Sequence, residues 1–357
     1  MAEINYFMIS HSNKSHLSFR IATAISLISI LTILDGCINV NSWQKNEGMI
    51  WNTIWHATFY GEPEMLTAAI DSLIRVEQSI SVFDHNSLVS HINESESGPV
   101  DMHFVNVYNM AKEVNHRSNG TFDPTLSKII DAWGFGESHT ANADTTDIEN
   151  ILKSVGIDKT YIKDGILHKS NPEIRFNFSA LAKGYGVDVA ARVLKERGCK
   201  DLMFEIGGEI VCAGNNPDGR KWRILIETPD EEFLKEVFGS DKMPTFKDPL
   251  IVELNNEALA TSGNYRNYRK TNGETYGHTI STTTGRPVTT DILSASIIAS
   301  SCVLADAMAT ACMAMGSADA MAMLLENDLA GAFILYSGEV MVNEKMQDHL
   351  VGRNHQE

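Results

Sequence analysis

The chain has 357 residues, of which 43% are hydrophobic and 21% are charged, and this balance is typical of a folded globular protein. It excludes a disordered or collagen-like chain. Asp and Glu outnumber Lys and Arg by 46 to 29, which gives a net charge of -17. We therefore expect no nucleic-acid partner, because a phosphate backbone is held by a field of basic side chains.

The first 36 residues are predicted to be a signal peptide of the lipoprotein type. Lys14 and Arg20 precede an apolar stretch over residues 21–34. This stretch is shorter than the roughly 20 residues of a membrane-spanning helix and fits the apolar region of a secretory signal better. A permanent transmembrane helix is the less favoured alternative.

The end of this segment, Leu34-Asp35-Gly36-Cys37, resembles a bacterial lipobox, in which Cys37 would carry the lipid. A plain signal peptide followed by an incidental cysteine is the alternative. We expect an exported protein on the periplasmic side of the bacterial inner membrane, held at the membrane by its lipid anchor only. Residues 37–49 would form the tether.

The mature chain is predicted to have an α+β fold. Apolar residues recur at helical spacing over 63–80, 101–118, 182–197 and 304–315, the first of these helices opening the domain. Short β-like runs lie between them, at 203–206, 209–213, 222–227, 250–254, 294–298 and 332–336. Because strands come in groups rather than alternating with helices, antiparallel sheets are favoured over a doubly wound parallel sheet. The charged stretch 228–249 is predicted to be a surface excursion.

Four cysteines follow Cys37, and their scattered positions predict single buried thiols rather than a disulfide framework or a thiolate metal site. They are Cys199, Cys212, Cys302 and Cys312. The fingerprints of Rossmann, P-loop, zincin and serine-hydrolase sites are absent from the sequence. A bound nucleotide would therefore need another scaffold.

Two blocks in the first half of the mature chain are candidates for ligand binding. Residues 120–125 and 131–136 combine Gly, Asp-Pro and aromatic side chains, which suits either an ordinary turn or a wall for a planar ligand. Residues 177–188 run into a helix N-terminus that contains Lys183. Such an end can hold a phosphate, although a capped helix with a solvated lysine has the same pattern.

Two further blocks each leave a structural alternative open. Gly207 and Gly208 interrupt a β-like run, which indicates close approach of either a ligand or a neighbouring strand. The hydroxyl-rich block 260–265 is predicted to be a turn, and His278 downstream of it is either structural or chemical.

Asp306 and Thr310 are four residues apart in the fourth predicted helix, so their oxygens share one face. A carboxylate and a hydroxyl on a face of small residues suit a hard cation such as Mg²⁺. The alternative is an ordinary helix charge beside a threonine bonded to its own backbone.

Together and in this order, these blocks resemble the ApbE family, the FAD:protein FMN transferases of bacteria. The matching stretches are 120–136, 179–198 with 206–208, 260–265, 278–288 and 305–316. The resemblance implies a T-fold-like domain over residues 50–345, with antiparallel sheets packed against helices. It also implies an Mg²⁺-dependent enzyme that cleaves FAD, releases AMP and attaches FMN to a threonine hydroxyl of an acceptor flavoprotein subunit.

The resemblance also implies the residues of the site. Mg²⁺ would be bound by the backbone carbonyl of Ala180 and by the side chains of Asp306 and Thr310. His278 would contact FAD and is the candidate catalytic residue that activates the acceptor hydroxyl. The other FAD contacts would be Trp51, Phe83, Thr121, Phe122, Asp123, Asn177 and Lys183.

Two other functions stay open at this level. The same site could act as an Mg²⁺-dependent FAD pyrophosphatase, with water in place of the threonine and free FMN and AMP as products. Alternatively, the chain could be an exported lipoprotein that binds a flavin without catalysis.

Overall fold

The computed structural model describes residues 41–136, 145–229, 231–239, 250–264, 268–271 and 274–352. The predicted signal peptide, Cys37 and Tyr265 lie outside these residues. The chain divides after Ser42, and the larger unit runs from Trp43 onward. Within the described residues, no helix has the length and apolar character needed to cross a bilayer.

An eight-stranded sheet forms the centre of the larger unit, with the strand order β1-β2-β6-β7-β10-β13-β14-β15. From β2 to β15 each neighbouring pair is antiparallel. The strands of this sheet are β1 (Ser42–Ile50), β2 (Thr53–Gly61), β6 (Leu202–Ile206), β7 (Glu209–Ala213), β10 (Glu257–Gly263), β13 (Ile292–Ala299), β14 (Ala330–Leu335) and β15 (Val340–Val342).

The remaining strands form small antiparallel sheets. The order β3-β5-β4 joins β3 (Ser97–Pro99), β4 (Thr160–Lys163) and β5 (Ile166–Lys169). Two hairpins complete the set: β8 (Trp222–Ile226) with β9 (Leu250–Leu254), and β11 (Tyr268–Thr271) with β12 (Glu274–Gly277).

The four helices expected from the sequence are present, with ends close to the predicted ones. They are α1 (Glu64–Ile80), α3 (Met102–Arg117), α6 (Ser179–Glu196) and α8 (Cys302–Met315). Shorter helices that the sequence did not predict are α2 (Leu88–Glu94), α4 (Ser127–Ala132), α5 (Thr145–Leu152), α7 (Glu231–Phe238), α9 (Ser317–Glu326) and α10 (Glu344–Gln347). Glycines with positive φ values follow α6 and α8, 93° at Gly198 and 88° at Gly316.

The main core lies between the helices and one face of the sheet. Phe104 of α3 meets the rings of Phe176 and Phe178 edge-on, with centroid distances of 5.8 and 5.3 Å. All three side chains are fully buried, and each contributes about 1.5–3 kcal/mol by leaving water. This packing holds the segment that leads into α6.

The other face of the sheet is covered by the β8–β9 hairpin. Along β7, Ile210 and Cys212 pack with this hairpin, whereas Val211 and Ala213 belong to the core beside α6. Side chains that alternate between two buried faces explain why the whole strand is apolar apart from its first residue. The predicted α+β fold, with antiparallel sheets packed against helices, is confirmed.

Three local predictions differ from the structure. Two strands, β1 and β2, precede the first helix, so residues 42–49 form an edge strand rather than a bare tether. The hydroxyl-rich block expected to be a turn lies mostly in β10. Part of the expected surface excursion forms α7, because Phe233 and Leu234 are buried against Leu293 and Ile334.

The four cysteines are buried and free of disulfide bonds, as the sequence predicted.

Candidate functional site

A cavity of about 610 Å³ opens where α6, α8 and β10 meet the loops around residues 51–53, 121–124 and 278–280. This volume is within the usual range for a small-molecule site. Every residue predicted to contact FAD or the cation lies in its wall: Trp51, Phe83, Thr121, Phe122, Asp123, Asn177, Ala180, Lys183, His278, Asp306 and Thr310. The fold therefore gathers residues separated by up to 259 positions, whereas Cys37 falls outside the described residues.

The deep end of the cavity is built by α6 and α8. Asp306 is 4% exposed, and its Oδ2 accepts a hydrogen bond of 3.0 Å from the backbone N–H of Gly184. One turn later, the hydroxyl of Thr310 lies 3.2 Å from the hydroxyl of Ser262 on β10. Asp306, Thr310 and Ala180 thus line one space.

The close approach of these two helices depends on Gly184. A Cβ at this position would lie 2.4 Å from the carbonyl oxygen of Cys302 and 2.8 Å from the Cβ of Asp306. The start of α8 is also fixed from α6, because both carboxylate oxygens of Asp188 accept backbone N–H groups, from Cys302 and Val303, at 2.9 Å. Burial raises the pKa of Asp188 to about 6.

Charge is concentrated at this end of the cavity. Burial, followed by the negative charge of Glu209, raises the pKa of Asp306 to about 8, while the Lys183 ammonium acts in the opposite direction. Because ionising this buried carboxylate is costly, a bound cation would stabilise its charged form. The oxygen donor set therefore fits a hard cation such as Mg²⁺.

Within the described parts of the chain, three or more His, Cys, Asp or Glu side chains do not gather into a metal cluster. A cation site at Asp306 would differ from such clusters, because its other ligands would be a hydroxyl and a main-chain carbonyl.

Glu209 was not predicted as a site residue. It begins β7, is 1% exposed, lines the cavity and forms an ion pair with Lys183. Sequence patterns could not place this carboxylate, because its partner lies on another element, 26 residues earlier in the chain. The glycines before it were the available signal, since they mark the turn that brings β7 to the cavity.

The turn between β6 and β7 is held against the β1–β2 hairpin. Gly207 and Gly208 have φ values of 59° and 103°, and a Cβ on Gly207 would lie 2.9 Å from the hydroxyl oxygen of Thr53. Gly207 also lines the cavity. The absence of a side chain on Gly207 therefore allows the turn to pack against Thr53 at the edge of the cavity.

Asp123 lies in the wall, but its carboxylate is occupied by structural bonds. Oδ1 accepts from the backbone N–H and the hydroxyl of Thr125, at 2.8 and 2.6 Å, and Oδ2 accepts from the backbone N–H of Ile157 at 3.0 Å. Burial nevertheless raises its pKa. For Asp123, the ordinary turn that the sequence offered as one alternative describes these contacts well. Its neighbours Thr121 and Phe122 form part of the cavity wall.

The outer end of the cavity is aromatic and more exposed. Phe83 is 58% exposed, and the rings of Phe135 and His278 meet edge-on with centroids 6.2 Å apart. Trp51 and Asn52 form the β1–β2 turn with φ values of 50° and 58°, which are unusual for residues other than glycine. This end can accept a flat aromatic ring.

The loop after His278 is closed by main-chain hydrogen bonds. Ser281 N–H donates to Arg286 at 2.9 Å, and Val288 N–H donates to Thr279 at 2.9 Å. The indole N–H of Trp133 also donates to the carbonyl of Gly285, at 2.7 Å. The loop therefore holds His278 in a defined place beside the aromatic wall.

Comparison with known protein families shows to which family this chain belongs. The sequence profile of the ApbE family matches residues 51–334. The chain belongs to the ApbE family.

Relatives of known name support this membership. The FAD:protein FMN transferase of Vibrio cholerae is 33% identical over 318 residues, covering 85% of this chain and 91% of the relative. The FAD:protein FMN transferase of Haemophilus influenzae is 26% identical, covering 88% of this chain and 93% of the relative.

Solved structures of the ApbE family have the same fold. The flavin transferase ApbE from Vibrio cholerae superposes with a TM-score of 0.75 at 28% identity, covering 87% of this chain and 100% of that one. The apo flavinyl transferase ApbE of Pseudomonas stutzeri gives a TM-score of 0.77 at 24% identity, over 87% of this chain and 97% of that one. The second comparison supports the fold alone.

Proposed function

We propose that this chain transfers FMN from FAD to a threonine hydroxyl of an acceptor flavoprotein subunit, with Mg²⁺ as the cation and AMP as the second product. The observation that carries the proposal is the arrangement of one cavity, which has a buried carboxylate and a partly exposed ammonium at its deep end and aromatic side chains at its mouth. FAD has a matching arrangement, with a charged diphosphate in one part and a flat aromatic isoalloxazine ring in another.

The proposed reaction exchanges the phosphoanhydride bond of the diphosphate for a phosphoester bond to threonine. The threonine Oγ forms a bond to the phosphorus of the FMN half, and the bond from that phosphorus to the bridging oxygen breaks. The bridging oxygen leaves with AMP, and the hydroxyl proton passes to a base. His278 is the candidate base because it stands in the cavity wall on a hydrogen-bonded loop.

The remaining residues bind and orient. Lys183 provides positive charge for the diphosphate, and Glu209 holds Lys183 in place. Asp306, Thr310 and the carbonyl of Ala180 would hold Mg²⁺, which would supply positive charge for the phosphate oxygens. Trp51 and Phe83 would contact the flavin ring at the open end.

We also place the enzyme outside the cytoplasm, on the periplasmic side of the inner membrane, with Cys37 as the lipid attachment site. The support is the apolar segment over 21–34 and the lipobox-like sequence before Cys37. Fractionation of cells that express the full chain checks this placement, and recovery of the protein in the cytoplasm would contradict it.

The activity is tested by incubating the protein with FAD and Mg²⁺, with and without a threonine-bearing flavoprotein subunit. Chromatography follows AMP, and in-gel fluorescence follows covalent flavin. Transfer is expected to give AMP together with a fluorescent acceptor. AMP and free FMN without labelled acceptor would instead identify a pyrophosphatase. FAD that stays bound and uncleaved would indicate a flavin-binding protein without catalytic activity.

His278→Ala is expected to lower the transfer rate by about 10²–10⁴-fold, the usual contribution of a general base, while FAD remains bound. Fluorescence quenching measures FAD affinity, and labelled acceptor measures transfer. His168→Ala is the matched control, because His168 stacks on Tyr161 away from the cavity. Transfer at the wild-type rate by His278→Ala would remove His278 from the mechanism.

A further inference from the structure

The first strand of the central sheet, β1, forms one edge of that sheet. Within the described residues it ends the strand order, with β2 as its neighbour. Six of its nine residues are exposed and none is buried, and none of them lines the proposed FAD site. Because an edge strand offers main-chain N–H and C=O groups to another strand, β1 is a candidate interaction surface.

The register between β1 and β2 follows from two contacts across the hairpin. Trp43 meets Tyr60 with ring centroids 5.6 Å apart, and Glu47 lies 3.7 Å from His56. Both contacts fit one antiparallel register, because four residues forward along β1 correspond to four residues back along β2. The position of every other residue of β1 opposite β2 follows from these two pairs.

The main-chain groups of alternate residues of β1 point away from the sheet. On β2, the carbonyl of Ile54 accepts the N–H of Gly207 at 3.0 Å, and the N–H of Tyr60 donates to the carbonyl of Asp201 at 2.9 Å, so both residues direct their main chain to the β6 side. The residues of β1 opposite them therefore direct theirs to the open edge. By the same alternation, the outward set of β1 is Trp43, Lys45, Glu47 and Met49.

The side chains of the outward set lie on the face of β1 that is turned away from the core. The residues between them face the core: a Cβ on Gly48 would lie 2.7 Å from the ring of Trp55, and Ile50 packs against the core cluster that contains Trp55. In chain order the outward set therefore presents an aromatic ring, a positive charge, a negative charge and a thioether.

From these observations we propose that β1 pairs with β1 of a second copy of this chain, antiparallel and with a two-fold axis at Asn46. In this register Lys45 of each copy lies opposite Glu47 of the other. At either end, Trp43 lies opposite Met49. Facing residues all belong to the outward set, so their main-chain groups can bond to each other. The strand is thus complementary to itself, as a two-fold dimer requires.

The charges select this register over its neighbours. An axis at Lys45 would place the Lys45 side chains of the two copies opposite each other, and an axis at Glu47 would do the same with Glu47. Like charges directly opposite destabilise a strand pair, whereas opposite charges stabilise it. The axis at Asn46 is the position between these two, and it faces each positive charge with a negative one.

The same register covers the exposed apolar side chains of the hairpin. Trp43, Met49, Ile54 and Tyr60 are between 36% and 69% exposed. Within one copy, Trp43 is beside Tyr60 and Met49 is opposite Ile54. Pairing Trp43 with Met49 of the second copy joins these two pairs into one apolar row across the interface, and the two-fold axis repeats the row. Removing such surface from water favours association, and methionine sulfur packs well on aromatic rings.

The dimer also brings the second copy to the mouth of the proposed FAD site. The turn of Trp51 and Asn52 follows the end of β1 and lines that cavity. In the antiparallel pair, the beginning of one β1 lies beside the end of the other. Each cavity mouth therefore lies next to the second copy. The pairing itself does not depend on the proposed transferase function.

Asn46→Cys tests the axis, because this residue would face its own counterpart. At such a non-hydrogen-bonded position the facing Cα atoms are about 4.5 Å apart, which suits a disulfide. We expect oxidation of the full chain to give a dimer on a non-reducing gel. Ser42→Cys is the matched control in the same strand, since its two copies would be roughly 27 Å apart at about 3.4 Å per residue. The wild type reports any cross-link through its own thiols, four of which are buried.

Charge reversal tests the register independently. Lys45→Glu and Glu47→Lys each place like charges opposite each other at two points of the dimer, so the dissociation constant should rise at least about tenfold. The double variant Lys45→Glu/Glu47→Lys restores opposite charges and should restore the dimer. Lys163→Glu, on an exposed position of β4, is the control and should have no effect. Light scattering of the full chain over a range of concentrations measures association, and thermal unfolding checks that each variant is folded.

Several results would overturn the dimer through β1. A wild type that stays monomeric at every concentration would leave this edge to another kind of partner. A dimer that survives both single reversals would have its interface elsewhere, as would a dimer in which Asn46→Cys fails to cross-link or cross-links no better than Ser42→Cys. A double variant as weak as the single ones would show that these charges act within one chain rather than between copies.

Discussion

The two ends of the main cavity differ in how they are built. At the deep end, Asp306 is 4% exposed and is held between two helices in direct backbone contact. At the mouth, Phe83 is 58% exposed, and the neighbouring turn at Trp51 and Asn52 has an uncommon backbone conformation.

This difference indicates which part of the site is already in its binding conformation before a ligand binds. Charges that act on a phosphate are most effective when they are fixed and shielded from water, because reorganisation then costs little during the reaction. An exposed aromatic wall gains its contacts only when a ring covers it. Substitutions at the deep end should therefore affect catalysis, and substitutions at the mouth should affect affinity.

The largest effect is expected for Asp306→Asn. The amide can still accept the N–H of Gly184, but it removes the charge that would hold Mg²⁺, so transfer should fall by at least about 10²–10³-fold. The metal-free protein should become more stable, because a buried carboxylate with a raised pKa is costly to ionise at neutral pH. AMP release and thermal unfolding in a chelator measure the two effects.

Asp319→Asn, near the start of the neighbouring helix α9, is the matched control and should leave AMP release unchanged without the gain in stability. Undiminished AMP release by Asp306→Asn would exclude Asp306 as a cation ligand.

An intermediate effect is expected for Glu209→Gln. Loss of this carboxylate leaves Lys183 without its buried ion-pair partner, so the ammonium no longer has a fixed position for the diphosphate. We expect kcat to fall by about 10–100-fold, the range for residues that orient a catalytic group, with a smaller change in KM for FAD. Steady-state kinetics separates the two constants.

Glu257→Gln serves as the control for Glu209, because Glu257 starts the neighbouring strand and lies 3.0 Å from His349, away from the cavity. A change confined to KM would show that Glu209 influences binding alone.

The smallest effects, and the sharpest comparison, are expected from two glycines of α6. Gly184→Ala brings a Cβ against the backbone of Cys302, so it should cost about 1–3 kcal/mol of stability and lower kcat. Gly186→Ala meets side-chain atoms, Cη2 of Trp51 at 2.3 Å and Cδ2 of Leu73 at 3.3 Å, so it should mainly raise KM for FAD a few-fold. Unfolding experiments and kinetics on both variants test this.

The two substitutions are matched, because each adds one methyl group to the same helix and gains up to about 1 kcal/mol of helix propensity. If both changed the same kinetic constant, the functional division between the deep end and the mouth would fail.

Much of this architecture could be predicted from local patterns. Helical periodicity located α1, α3, α6 and α8, and the four-residue spacing of Asp306 and Thr310 placed both on one face of α8. Both signals lie within a single element, so they do not depend on the rest of the fold.

The parts that were missed depend on distant contacts or on weak patterns. Glu209 pairs with Lys183 across two elements, so nothing local marks it as buried. Most of β1 is exposed at the edge of the sheet and lacks apolar alternation. By contrast, Trp55, Ala57 and Phe59 of β2 alternate with more exposed residues, so this strand could have been found from the sequence.

The two thiols of α8 have a practical consequence. Cys302 and Cys312 are fully buried near the two ends of the helix, with Asp306 and Thr310 between them, and burial raises the pKa of both thiols. Alkylation requires an accessible thiolate. Each thiol therefore becomes reactive only when α8 opens, and the rate of alkylation measures the opening of the helix that carries the proposed cation ligands.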